Sequence, residues 1–189
     1  VKTPIVTDLD RRLASRLAAE REARGWSVAE LAARSGVSRA MIARVERGAA
    51  RPTAALLGRL SAAFGLPLSR IFALVEDAPS RLSRAAGQAV WTDPGTGYVR
   101  RSVSPAGDTR LHLTQVDLPP GAQVRYPADA YAFIHQQVWV LRGTLTFREG
   151  RETVTLHAGD CLQLGPPARC AFENRTARPC RYVVAVTPR

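Results

Sequence analysis

The 189-residue sequence predicts a two-part molecule, an all-helical N-terminal half followed by an all-β C-terminal half. Apolar residues recur three and four positions apart at Leu9, Leu13 and Leu17, then at Leu31, then at Met41, Ile42 and Val45, and again at Leu56, Leu57 and Leu60. This is the period of one helix face. In the second half that period gives way to short runs of Val, Leu, Thr, Tyr and Phe, punctuated by DPGTG, PPG, REG and HAGD, which is the grammar of strands and turns. Between them EDAPSRLSRAAGQ sustains no apolar face and reads as a linker. The expected division is residues 1–75, a linker over 76–90, and 91–189.

Five helices are expected, over 7–24, 28–35, 39–47, 53–64 and 67–74. Ser27 is placed to cap the second, with Glu30 three residues on, and Gly36 ends it. Ser38 caps the third, Gly48 ends it, and Pro52 with Thr53 opens the fourth. From Gly97 onward nine strands are expected: YVRRSV, RLHLTQVDL, AQVRYP, FIHQQVWVL, TLTFRE, ETVTLH, DCLQL, RCAFEN and RYVVAV. Many short strands at regular spacing indicate a sandwich or a closed barrel.

The formal net charge is +11, with thirteen Lys/Arg against six Asp/Glu in residues 1–75 and fourteen against ten in the remainder. A basic segment of this kind suits a polyanion, because counterions released from phosphates drive association. Lys2 is the sole lysine, so part of the excess reflects arginine use throughout the chain. No apolar run reaches membrane-spanning length and nothing reads as a signal peptide, so a soluble, cytoplasmic protein with no membrane partner is expected. Cys161, Cys170 and Cys180 are odd in number and lack CxxC spacing, which fits reduced thiols better than a disulfide framework or a zinc ribbon.

The stretch SVAELAARSGVSRAMIARVERG sets two short helices about a glycine turn. From Leu9 to Phe72, with RPTAALLGRLSAAFGLPLSRIF completing it, the chain resembles the XRE, or lambda-repressor-like, helix-turn-helix family. The resemblance implies a five-helix DNA-binding domain whose third helix enters the major groove of double-stranded DNA. Ser38, Arg39 and Ala40 then lie at the entering turn, with Arg44 one turn on. Arg39 is the candidate guanine reader, since a guanidinium bonds O6 and N7 together. Arg47, Arg51 and the fourth-helix start at Thr53 are candidates for phosphate, through charge and free backbone N–H groups, and Ser27 is a further candidate for DNA contact. Trp26 is assigned to the core, and Glu46 to an internal pair, because an acid on the groove side would repel phosphate.

In the β half, GAQVRYPADAYAFIHQQVWVLRGTLTF and HAGDCLQLGPPARCAFEN resemble the two motifs of the small cupins, over about Val103 to Val186. The resemblance implies a double-stranded β-helix, or jelly-roll, barrel. Metal-binding cupins present two histidines and a glutamate from the first motif and a histidine from the second. Here Gln136 stands at the glutamate, Asp129 and Tyr131 fall near the paired histidines, and Cys170 stands at the last. The usual site is therefore not expected, and no metal or other cofactor is assigned. An altered site using His135 and Cys170 with Gln136 or His112 is the alternative. Strand alternation puts Gln136, Val138 and Val140 on one face and His135, Gln137, Trp139 and Leu141 on the other, one of which lines the cup. With Gln136 inward, Tyr126, Tyr131, Phe133, Val138 and Cys170 are its candidate neighbours in an effector pocket, or simply fill a small core.

The expectation is a non-enzymatic, DNA-binding transcriptional regulator, a homodimer reading two half-sites ~34 Å apart, whose cupin receives a small effector or provides dimer contacts. A metal-dependent cupin enzyme fused to a DNA-binding module, and an antitoxin-like partner protein, remain the alternatives.

Overall fold

The boundaries of the first four helices coincide with capping residues in the computed structural model, which describes residues 7–73, 80–107 and 110–189. The helices are α1 (Asp8–Ala23), α2 (Val28–Ser35), α3 (Arg39–Glu46), α4 (Ala54–Phe64) and α5 (Leu68–Ala73). Thr7 and Asp10 form a reciprocal capping box on α1, and Ser27 and Glu30 form another on α2. Gly36 ends α2 with φ 66°, a left-handed conformation that admits the sharp turn into α3. Leu31, Val37, Ile42 and Val45 are all buried, and they hold α2 and α3 together. Position 74, the last of the fifth expected helix, and 76–79 of the expected linker lie outside the described residues.

The nine expected strands are all present, as β2 (Val99–Ser102), β3 (His112–Leu118), β4 (Gln123–Tyr126), β5 (Ile134–Arg142), β6 (Thr144–Glu149), β7 (Glu152–His157), β8 (Cys161–Gln163), β9 (Cys170–Glu173) and β10 (Cys180–Pro188). A further strand, β1 (Val90–Thr92), precedes them and pairs with β2. Its three residues are too few for alternation to register in the sequence. Among the described residues the strands form two antiparallel sheets, ordered β1-β2-β3-β10-β5-β8 and β4-β9-β6-β7. Phe172 of the second sheet stacks on Tyr182 of the first, with ring centroids 5.7 Å apart and planes at 8°. Two facing antiparallel sheets of this order make the jelly-roll barrel.

The helical domain is not merely tethered to the barrel; α4 lies across the barrel's open end and α5 beside it. Asp93, in the turn after β1, accepts the Ala54 backbone N–H at 2.7 Å, so a barrel carboxylate caps a helix of the other domain. Its second oxygen is held by the Thr96 N–H and hydroxyl, at 2.7 and 2.6 Å. Arg51 joins Asp10 in an ion pair at 2.9 Å and donates to the Thr92 carbonyl at 3.1 Å. Phe72 of α5 meets Trp91, which meets Tyr98 edge-on. The apolar core runs unbroken from Leu13 to Val186 across this junction.

Gly58 makes that seating possible. A Cβ there would lie 2.5 Å from Cδ1 of Tyr126, inside any permitted contact. Gly58→Ala is therefore expected to destabilise the chain by about 1–3 kcal/mol, the range for overpacking a filled core. The loss should shrink in a Tyr126→Leu background, and denaturant unfolding of the two single variants and the double variant measures it.

Candidate nucleic-acid interface and interdomain cavity

α3 presents its entering turn to solvent. Ser38, Arg39, Ala40, Arg44 and Arg47 are exposed, while Ile42 and Val45 on the opposite face are buried. None of the three arginines makes an ion pair among the described residues. Glu46 is turned inward and gripped by Arg21 through both carboxylate oxygens, at 2.8 and 2.9 Å, so the helix's one acid is neutralised away from its outer face. Those bonds raise the Arg21 pKa. Ser27 and Ser38 each accept a backbone N–H as helix caps, at 3.2 and 3.3 Å, which leaves their hydroxyl hydrogens able to donate to a phosphate. Trp26 is only partly buried; it stacks on Phe64 and carries the Arg34 guanidinium 4.3 Å above its ring.

Two expected phosphate contacts are committed elsewhere. Arg51 is spent on Asp10 and Thr92, and the first amide of α4, beside Thr53, is spent on Asp93. All three partners are distant in sequence, and two of them, Thr92 and Asp93, belong to the barrel.

Beneath α4 and α5 lies a cavity of about 80 Å³. β5 buries Ile134, Gln136, Val138 and Val140 and turns His135, Gln137, Trp139 and Leu141 outward, so the face bearing Gln136 is the lumen face. Tyr126, Tyr131 and Gln136 line the cavity. Val138 and Cys170 are buried but stand outside its lining. Phe133 is 53% exposed and approaches Gly65 instead. Strict alternation puts Phe133 with His135, on the outer side, which is the physical reason it leaves the pocket.

The sequence reading missed Arg100 and Thr114 on the barrel wall, Tyr98 and Tyr182 beside them, and Gly58, Ser61 and Ser69 contributed by the helical domain. Arg100 is only 5% exposed; one nitrogen donates to the Thr114 hydroxyl at 2.9 Å, and its guanidinium sits 4.3 Å over the Phe72 ring. The inward period of β2 carried a signal, since Arg100 stands where an apolar residue belongs.

The cup does not suit the metal that this type of barrel commonly holds. Its nearest donors are the neutral amide of Gln136 and the phenol of Tyr131, while His135 points outward and cannot join Gln136 or Cys170. Among the described residues no cluster of three or more His, Cys, Asp or Glu could hold a metal ion.

Residues 17–71 match the family model described as a helix-turn-helix, HTH_3. The HTH-type transcriptional regulator SutR of Escherichia coli (strain K12) is 39% identical over 62 residues, which is 33% of this chain and 35% of that protein. The chain thus spans about a third of that relative's length. The crystal structure of an HTH_3 family transcriptional regulator from Vibrio cholerae matches 96% of this chain and 98% of its own, with TM-score 0.76 and 22% identity, a likeness of fold. The Cupin_2 domain of an XRE family transcriptional regulator from Enterobacter cloacae covers 48% of this chain and 95% of its own, with 21% identity and TM-score 0.44.

The thiols give a test of the barrel interior. Burial pushes the Cys170 thiol up to about 12 and the Cys180 thiol up to about 11. Both should stay protonated and inert at neutral pH while exposed Cys161 is alkylated, as intact-mass measurement after iodoacetamide would show. Raised folded-state values mean that stability is fully present below the unfolded thiol value, ~8.5, and declines as pH climbs toward 11–12. Denaturant midpoints across that window measure the decline.

Proposed function

Starting from a helix-turn-helix domain of the XRE type seated on a cupin barrel, we propose that this chain is a sequence-specific, DNA-binding transcriptional regulator. The observation that carries the reading is the outer face of α3, where Arg39, Arg44 and Arg47 stand unpaired by described residues while Glu46 is locked inward by Arg21. A cationic, groove-sized face with its acid removed is what base edges framed by phosphates require. Arg39 reads a guanine, Ser38, Ala40 and Arg44 flank it, and Arg47 and Ser27 meet the backbone. No catalytic role is assigned to the barrel; it receives a small effector under α4 and α5. The protein acts in the cytoplasm.

The working unit in this reading is a homodimer, because one recognition helix covers too few base pairs and two ~34 Å apart cover a palindrome. Trp139 and Leu141, on the outer face of β5 at 50% and 38% exposure, supply apolar surface for such a contact. Trp139→Asp should then shift the mass measured by light scattering toward the monomer; an unchanged mass removes this face from the dimer contact.

Duplexes recovered by selection from a random pool test the central reading. Arg39→Ala should cost about 1–3 kcal/mol against the selected site and relax one base position, whereas Arg47→Ala should weaken all duplexes alike and lower the salt slope by about one. A purified chain that retains no duplex even in dilute salt overturns the proposal.

A further inference from the structure

Resting on that reading, the outer face of α3 also indicates which bases its operator presents. Ile42 and Val45 fix the midline of the buried stripe, and at roughly 100° per residue Ala40 stands about 170° from it. Arg47, the C-cap, lies close to the same outer line at the far end of the helix, and Ala43 and Arg44 lie to either side, each about 130° from the buried midline. Arg39, the first residue of the helix, leaves from its flank. Ala40 is exposed, so the side chain nearest the floor of a groove that receives this face ends in a methyl group. With half-buried Ala43 beside it, the backbone of α3 can approach base edges closely while Arg39 and Arg44 reach past it.

What this face lacks is equally informative. Its side chains are those of Ser38, Arg39, Ala40, Ala43, Arg44 and Arg47, with no carboxamide or carboxylate among them. Glu46 is gripped from within by Arg21 at 2.8 and 2.9 Å. The Ser38 oxygen accepts the Met41 N–H at 3.3 Å. Adenine is read by a carboxamide that bonds N6 and N7 together, and cytosine by an acid that accepts from N4. α3 carries neither group outward. Guanidinium groups suit the paired acceptors of guanine, and a methyl side chain suits the C5-methyl group of thymine.

We propose that Ala40 is a specificity-determining residue that reads a thymine methyl group, on the base next to the guanine read by Arg39. Consecutive Cα atoms lie about 3.8 Å apart, close to the spacing of about 3.4 Å between stacked bases, so neighbours on the helix meet neighbouring bases. The contact is apolar and needs no charge. It discriminates because cytosine turns an amino donor and a bare C5 edge toward the groove, and that donor loses its water beneath an alanine with nothing in exchange.

Replacing thymidine by deoxyuridine tests this, since the pairing is kept and only the methyl group is lost. In the duplex recovered by selection, the Arg39 guanine is located as the position that relaxes in Arg39→Ala, and each thymidine of the half-site is then replaced singly, with affinity read by fluorescence anisotropy. Replacement beside that guanine should weaken the unaltered chain about fourfold, the worth of one buried methyl group, and replacement elsewhere should leave affinity unchanged. Ala40→Gly should bind the thymidine and deoxyuridine duplexes equally. Ala40→Asn, which puts a carboxamide in place of the methyl group, should lose the thymidine preference and favour adenine at that position. Circular dichroism checks the fold of both variants, and the scan with the unaltered chain decides even if neither folds. Equal affinity of the unaltered chain for the two duplexes, a selected site with no thymine beside that guanine, or an undiminished thymidine preference in a folded variant overturns the proposal. Tight duplex binding with no response to deoxyuridine sinks only the thymine contact, while a chain that retains no duplex sinks the regulator.

Discussion

The seating of α4 across the barrel's open end is the constraint from which most of the molecule follows. It needs a residue without a side chain at position 58, because Tyr126 already fills the space. It also uses Asp93 to satisfy the first amide of a helix in another domain, an arrangement in which the helix dipole and the carboxylate attract each other in a nearly dry setting. Arg51 is drawn into the same junction, between Asp10 and the Thr92 carbonyl. These contacts turn two folding units into one body and close the cup from above.

The same contacts divide the helical domain into two working faces. α4 and α5 look toward the barrel, while α3 looks away from it with its outer side toward solvent. The inner side of α3 is fixed by Ile42, Val45 and the Arg21–Glu46 pair, the last of which leaves little negative charge on the outer side. A rigid support for an exposed cationic helix is what sequence readout requires, because base contacts tolerate little misplacement.

How much of this was legible in the sequence depended on how local the cause was. Ser27, Ser38 and Gly36 act on their own helix ends, and the boundaries they implied are those observed. The inward face of β5 followed from alternation once Gln136 was placed in the lumen, and the Glu46 pair followed from the sign of its charge. What escaped was non-local. Nothing in the neighbourhood of Arg51 or Thr53 announces Asp93 or Thr92, some forty residues away. The cavity's roof escaped for the same reason, since Ser61 and Ser69 read as ordinary helix residues until α4 and α5 are laid on the barrel. Phe133 was misassigned through composition, its aromatic character outweighing the alternation that places it outside.

That roof carries an evolutionary consequence. Ser61 and Ser69 belong to the domain that positions α3, so under the proposed function a change in ligand preference made from above also disturbs the helix proposed to meet base pairs. Diversification of ligand preference is thereby steered to the opposite wall, to strands such as β3 and β10, where substitutions leave the reading head undisturbed. Relatives that respond to different molecules should accordingly differ in their barrels while retaining the small residues of α4.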